Sequence, residues 1–270
     1  MNGPYAIVCR AHSGGRFMSE AFIRNGIQMG VVHPDTKDTK YFAVRSNPYI
    51  NEIILKAFKY ADMPDKRKKY FQDLMRQCIN EYIEKGNKDL LKPFGWKFGE
   101  TLFAMPVLFD TFPSAKAIHI IRDGRDVMLS RIPARFNPRN FHDAFNKLMI
   151  FGKQNVNKFN GEKLDKVNIL KYRTELELIH WQTVVEFGMT LRTYKDQYLE
   201  IRYEDMCHDP VKTLDQISEF IGVPFKDKVK KWAINNVSTA RIGKWKNEDG
   251  REMNKIIALA KPTLDRLRYK

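Results

Sequence analysis

Short apolar runs along the chain alternate with longer stretches in which apolar residues recur every three or four positions. The runs YAIVC (5–9), KAIHII (116–121) and YLEIR (198–202) read as strands. From about 66 to 84, Phe71, Leu74, Met75, Cys78, Ile79 and Tyr82 fall on one face of a helix. A second helix starts at Asp209-Pro210, a capping carboxylate followed by a proline at the first helical position. Val211, Leu214, Ile217 and Phe220 line one of its faces, and Gly222 stops it. Strands separated by helices predict an α/β chain with a parallel sheet, which binds ligands at the carboxyl ends of its strands. Residues 132–172, rich in Asn, Lys and Phe, break the pattern and read as a surface insertion; a lid over a site is one role such an insertion serves. No repeat or linker divides the rest, so a single domain over 1–270 is expected.

Composition narrows the classes. With 270 residues, 43% hydrophobic and 12% aromatic, the chain is globular and not disordered. A formal net charge of +15 favours anionic partners, whether nucleic acid, phosphorylated cofactors, acidic glycans or anionic membrane; a well-solvated basic surface is the plainer alternative. No Lys/Arg run with interleaved aromatics marks a nucleic-acid groove, and DKRKKY (65–70) is short and opens the first amphipathic helix, so no nucleic-acid partner is expected. Cys9, Cys78 and Cys207 are odd in number and widely spaced, which forms neither a disulfide framework nor a metal pattern. Met1 leads almost directly into a strand, without the signature of a signal peptide, and no run approaches 18 apolar residues. A cytoplasmic protein without a transmembrane segment is the expectation.

Two stretches carry chemistry. In CRAHSGGRFM (9–18), two adjacent glycines lie between a strand and a helix, where backbone N–H groups and a helix N-terminus cradle an anion. The Lys-Ser or Lys-Thr pair of the ATPase loop is missing, because Arg16 and Phe17 follow Gly15. In FPSAKAIHIIRDGRDVMLSR (112–131), a strand delivers Arg122 to its carboxyl end, with Ser130 slightly more than two helical turns beyond. Guanidinium and hydroxyl at that spacing suit one phosphate monoester; alternatively Arg122 caps the sheet edge through Asp123 or Asp126. His119, in mid-strand, reads as a satisfied core histidine, and His180-Trp181 as helix packing beside Leu178, Val185 and Gly188.

Four stretches in order resemble the sulfotransferases that use 3′-phosphoadenosine 5′-phosphosulfate (PAPS), most closely the bacterial-type members. IHIIRDGRDVMLSR resembles the family's 3′-phosphate segment, and YLEIRYEDMCHDPVKTLDQISEFIGVPF its strand, turn and helix. FGWKFGETLFAMP (94–106) is similar to the Trp-Lys segment before the base, and GKWKN (243–247) to the late Gly-x-Trp loop. The resemblance implies a P-loop-like parallel sheet and transfer of a sulfuryl group to a hydroxyl or amine, releasing 3′,5′-ADP, with no metal expected. It implies that Ser13, Gly14 and Gly15 hold the 5′-phosphosulfate. The family's loop lysine or arginine is replaced by His12, and the cation moves to Arg16 or Arg10. His12 then either takes part in transfer or closes the turn. Phe17 lies against adenine or in the core, and Tyr203 contacts adenine. Arg122 and Ser130 take the 3′-phosphate, with contacts added by Ser238, Arg241, Gly243 and Lys244. Lys97 is the implied cation at the sulfuryl group. Glu100 is the implied general base, or else an acid in the first turn of a helix starting at Thr101. The acceptor, whether glycan, glycolipid or small molecule, and the oligomeric state stay open. The rival readings are a P-loop nucleotide kinase or NTPase, which lacks its lysine here, and a non-enzymatic binder of nucleic acid or acidic glycan.

Overall fold

All five residues of strand β1 (Tyr5–Cys9) are buried, as befits a central parallel strand covered on both faces. In this computed structural model, which describes residues 3–43, 47–57, 59–86, 88–131, 158–159, 162–163, 172–248 and 250–269, the chain proceeds from β1 into helix α1 (Gly15–Asn25). There follow α2 (Pro48–Lys56), α3 (Asp65–Lys85), β2 (Gly95–Lys97), α4 (Met105–Thr111), β3 (Lys116–Ile121) and α5 (Gly124–Arg131). After the short pairing of β4 (Lys158–Phe159) with β5 (Glu162–Lys163) come α6 (Arg173–Thr190), β6 (Tyr198–Arg202) and α7 (Tyr203–His208). Helices α8 (Pro210–Ile221), α9 (Asp227–Asn236) and α10 (Gly250–Arg266) complete the order.

The chain divides into two compact units, Met1–Ile121 with Gly188–Thr239, and Arg122–Phe187 with Ala240–Lys270. The first holds a four-stranded parallel sheet in the order β2-β1-β3-β6. Register sets Cys9 beside Ile120 and Ile121 beside Arg202, so the carboxyl ends of β1, β3 and β6 come out together. Behind β2 lies an aromatic core in which Phe42 stacks on the fully buried Trp96 at 4.2 Å. Burying either ring is worth about 1.5–3 kcal/mol. Gly95 permits this packing, since a Cβ there would stand 2.1 Å from the Tyr5 carbonyl oxygen.

The three predicted strands occupy the residues read from the sequence, and the 66–84 helix extends one residue further at each end. Asp209 caps α8 by accepting from the Lys212 N–H at 2.9 Å, and Gly222 ends it in the left-handed conformation. Strand β2 escapes sequence reading because three residues beginning with glycine make no apolar run. The helix expected at Thr101 is instead a 3-10 turn, Gly99–Ala104, with α4 starting at Met105. Thr101 builds that turn, donating to the Phe98 carbonyl and accepting from the Trp96 indole. Of the insertion expected at 132–172, only the β4–β5 pairing and Tyr172 lie within the described residues.

In the second unit, α5 and α6 are joined by the buried ion pair of Arg131 and Glu177 at 2.7 Å. Gln182 and Glu186 of α6 bond Thr263 of α10 at 2.9 and 2.6 Å. Fully buried Trp181 packs so closely on Gly124 that a Cβ there would lie 2.4 Å from the indole.

Candidate functional site

Beyond Cys9 the chain turns through Arg10–Gly14 and enters α1. The Ser13 N–H closes this turn on the Arg10 carbonyl at 3.2 Å, with His12 in the left-handed region at φ 71°. Gly14 is the N-cap at φ 92°, and among the described residues no side chain caps the helix, so its first-turn N–H groups suit an external anion. Side chains are shut out of the loop: a Cβ on Gly14 would lie 2.6 Å from Met206 Cε and 2.8 Å from Tyr203 Cδ2. One on Gly15 would lie 2.6 Å from Cys9 Sγ and 2.9 Å from Lys97 Cε. The buried Ser13 hydroxyl has no hydrogen-bond partner among the described residues, which is costly unless an oxygen ligand supplies one.

Lys97, at the end of β2, brings a cation to the same place. Its ammonium would lie 3.8 Å from a Cβ on Gly15 and donates to Asp38 Oδ1 at 2.7 Å and the Thr36 carbonyl at 3.1 Å. Cys9 is no nucleophile here, because burial pushes its thiol above the ordinary range and the Lys97 charge offsets only part of that rise. Gly99 packs on the end of β1, where a Cβ would lie 2.2 Å from the Cys9 carbonyl oxygen, so the backbone of Glu100 starts beside the loop. Partly buried Phe17 stacks on Trp232 of α9 at 5.0 Å and 17°, and the Arg24 guanidinium lies 4.8 Å from the same indole. Backbone N–H groups, a buried hydroxyl and an ammonium together make a donor set for anionic oxygens.

Arg122 of the second unit is buried, and its Nη2 donates to the Arg241 carbonyl at 2.5 Å and stands 3.7 Å from Asp126 Oδ2. Asp126 in turn accepts from the N–H groups of Gly243 at 2.7 Å and Trp245 at 3.2 Å, which fastens the 241–245 loop to α5. The Trp181 indole fixes the Arg122 carbonyl at 2.9 Å. Asp123 pairs with Arg125, whose guanidinium lies 3.7 Å over the Trp245 ring. Of the capping arrangements open at the sequence level, contact with Asp126 is therefore present.

A family model described as "Sulfotransferase family" matches residues 10–227. The chain belongs to the sulfotransferase family. Curated relatives include carbohydrate sulfotransferase 3 of Tetronarce californica, 27% identical over 140 residues, 52% of this chain and 29% of that protein. Carbohydrate sulfotransferase 1 of Rattus norvegicus is 27% identical over 123 residues, 45% of this chain and 26% of that protein. The matched region thus spans little more than a quarter of these relatives. Among solved structures, the mouse sulfotransferase SULT7A1 complexed with PAP aligns at TM-score 0.53 and 14% identity, over all of this chain and 86% of that one. The sulfotransferase domain of the Synechococcus PCC 7002 olefin synthase aligns at 0.51 and 15%, over 97% and 94%. These two likenesses establish the fold. Bacterial and vertebrate proteins both appear, so the matches do not lean toward bacterial-type members as expected.

The chain gathers Ser13, Gly14, Gly15, Lys97 and Tyr203 around one loop, with His12 and Arg16 exposed and Arg10 buried. Tyr203 arrives there by opening α7 directly after β6. Arg122 meets the backbone of Arg241 and, through Asp126, that of Gly243; Ser130 is partly buried on α5, and the Ser238, Arg241 and Lys244 side chains are exposed. Sequence reading missed Asp38, Met206 and Trp232. Asp38 and Trp232 lie outside the recognised stretches; Met206 lies inside one, three residues past Tyr203, where one turn of α7 returns it to the loop. His119 is fully buried with Nδ1 2.5 Å from the Tyr198 hydroxyl, but its Nε2 has no partner among the described residues, so there it is only half satisfied. Among the described residues, no group of three or more His, Cys, Asp or Glu side chains could hold a metal, and no helix is long and apolar enough to cross a membrane.

Proposed function

We propose that this sulfotransferase moves a sulfuryl group from PAPS to an acceptor hydroxyl or amine and releases 3′,5′-ADP. The observation that carries the reading is the cradle: a buried, partnerless Ser13 hydroxyl, a loop closed to side chains at Gly14 and Gly15, and the Lys97 ammonium beside the α1 N-terminus. PAPS supplies a sulfuryl group activated by its anhydride link to phosphate. The loop N–H groups and Ser13 bind the phosphosulfate, and Lys97 offsets the charge that gathers on the leaving oxygen. Glu100 takes the acceptor proton, with His12 as its alternate. Phe17 and Tyr203 are assigned to adenine. Arg122 and Ser130 are assigned to the 3′-phosphate, and Ser238, Arg241, Gly243 and Lys244 to added contacts with it. The names of the curated relatives favour a carbohydrate hydroxyl as acceptor, a choice that also suits the net charge of +15 when the glycan is acidic. Function in the cytoplasm remains part of this proposal.

Thermal unfolding with 3′,5′-ADP, ATP–magnesium and heparin tests the reading. At a hundred times its dissociation constant, 3′,5′-ADP should stabilise the fold by about 2.7 kcal/mol, well beyond ATP at equal concentration. Equal or greater stabilisation by ATP–magnesium would return the kinase reading. A response to heparin alone would favour the polyanion binder.

A further inference from the structure

The Lys97 ammonium does not reach the cradle unaided. Residues 33–38 form a tight turn whose closing bond runs from the His33 N–H to the Asp38 carbonyl at 2.8 Å. Inside it, His33 Nδ1 accepts from the N–H groups of Asp35 and Thr36 at 3.2 and 3.4 Å. Lys37 adopts φ 56°, and its carbonyl is held by the Ser19 hydroxyl of α1 at 3.1 Å. Thr39 then ties the turn to β2, its N–H donating to the Lys97 carbonyl at 2.8 Å and its hydroxyl oxygen accepting from the Lys97 N–H at 3.1 Å. This turn points two acceptors, Asp38 Oδ1 and the Thr36 carbonyl, at one buried ammonium. An ammonium has three N–H donors, and the third has no partner among the described residues.

We propose that Asp38 is a positioning residue for Lys97: with the Thr36 carbonyl it holds the ammonium at the mouth of the anion cradle and offsets its charge until an anion arrives. Two donors are spent on the turn and one is kept for the ligand, so the lysine neither collapses onto the loop nor swings into solvent. A carboxylate beside the cradle also weakens its grip on any anion, which favours release of an anionic product. The consequence for release rests on the sulfuryl-transfer reading; the holding of Lys97 does not.

The test separates hydrogen bond from charge. Asp38→Asn keeps an oxygen acceptor in the same place and removes the charge, whereas Asp38→Ala removes both. The first readout needs no ligand: acetylation of Lys97 by N-hydroxysuccinimidyl acetate, followed by peptide mass spectrometry, with exposed Lys92 as internal reference. Asp38→Ala should label Lys97 roughly fivefold or more faster than Asp38→Asn does, because both variants lose the charge and only the first loses the holding acceptor. The second readout is calorimetric titration with 3′,5′-ADP. Asp38→Asn should bind it about three- to tenfold more tightly, since a unit negative charge near the anion is gone. Slow labelling of Lys97 in Asp38→Ala, or 3′,5′-ADP binding no tighter in Asp38→Asn, would overturn the proposal. Should Asp38→Ala fail to fold, Asp38→Ser, whose shorter side chain withdraws the acceptor, takes its place in the labelling, and Asp38→Asn still decides through the titration. If the unmodified protein does not bind 3′,5′-ADP, the sulfuryl-transfer reading fails, and the labelling alone still decides whether Asp38 holds the lysine.

Discussion

Acid should weaken the first unit through a single imidazole, that of His119 at the middle of β3. Its Nδ1 lies 2.5 Å from the Tyr198 hydroxyl, which donates onward to Glu200 at 3.2 Å, so Nδ1 carries the proton and Nε2 is the bare acceptor. Protonation would place a second N–H at Nε2, which is buried and without a partner among the described residues. Burial accordingly lowers the imidazole from its ordinary 6.5 to about 4, against the attraction of Glu200. Nor can the ring move aside: a Cβ on Gly188 would already stand 2.5 Å from it. The sign follows from which state takes the proton first. Above pH 6.5 both folded and unfolded chains carry neutral His119 and its contribution is complete. Between 6.5 and 4 the unfolded chain is protonated first, so stability falls with pH, by about 3 kcal/mol at most. Between pH 7 and 5 the loss should be about 2 kcal/mol. Urea unfolding of the unmodified protein and of His119→Asn across this range isolates the effect. The asparagine variant should be less stable at pH 7 and should lose less stability toward pH 5. Parallel profiles for the two proteins would refute the argument.

Three further outcomes are expected. Glu100→Gln should bind 3′,5′-ADP normally while turnover drops by roughly two to four orders of magnitude; near-normal turnover with an identified acceptor would pass the role of base to His12. Arg122→Ala should weaken 3′,5′-ADP by about tenfold or more and leave 5′-AMP unchanged; equal losses for both nucleotides in calorimetry would make Arg122 purely the strut that holds the Arg241 carbonyl. Gly124→Ala should cost about 1–3 kcal/mol in chemical unfolding, because its methyl group meets the Trp181 indole. A stability within experimental error of the parent would show that α5 can shift away from that ring.

What was legible from sequence alone is local. Strands β1 and β3 declare themselves because buried parallel strands are nearly continuous apolar runs, the edge strand β6 because Tyr198, Leu199 and Ile201 make a short β-prone run, and α8 because its Asp209 cap, Pro210 start and Gly222 stop act within a turn of the backbone they control. The glycine loop is legible for the same reason, since a strand, two glycines and a helix start are neighbours in the chain. The tertiary structure decided whatever depends on partners remote in sequence. Lys97 owes its place to Asp38, 59 residues earlier, and the 241–245 loop hangs on Asp126, 117 residues before Gly243. Phe17 finds Trp232, and β2 is a strand only because β1 offers it a ladder. Periodicity and capping report the energetics of residues a few positions apart. A carboxylate that steers a distant ammonium leaves no periodic trace, because its role is set by where the chain returns in space.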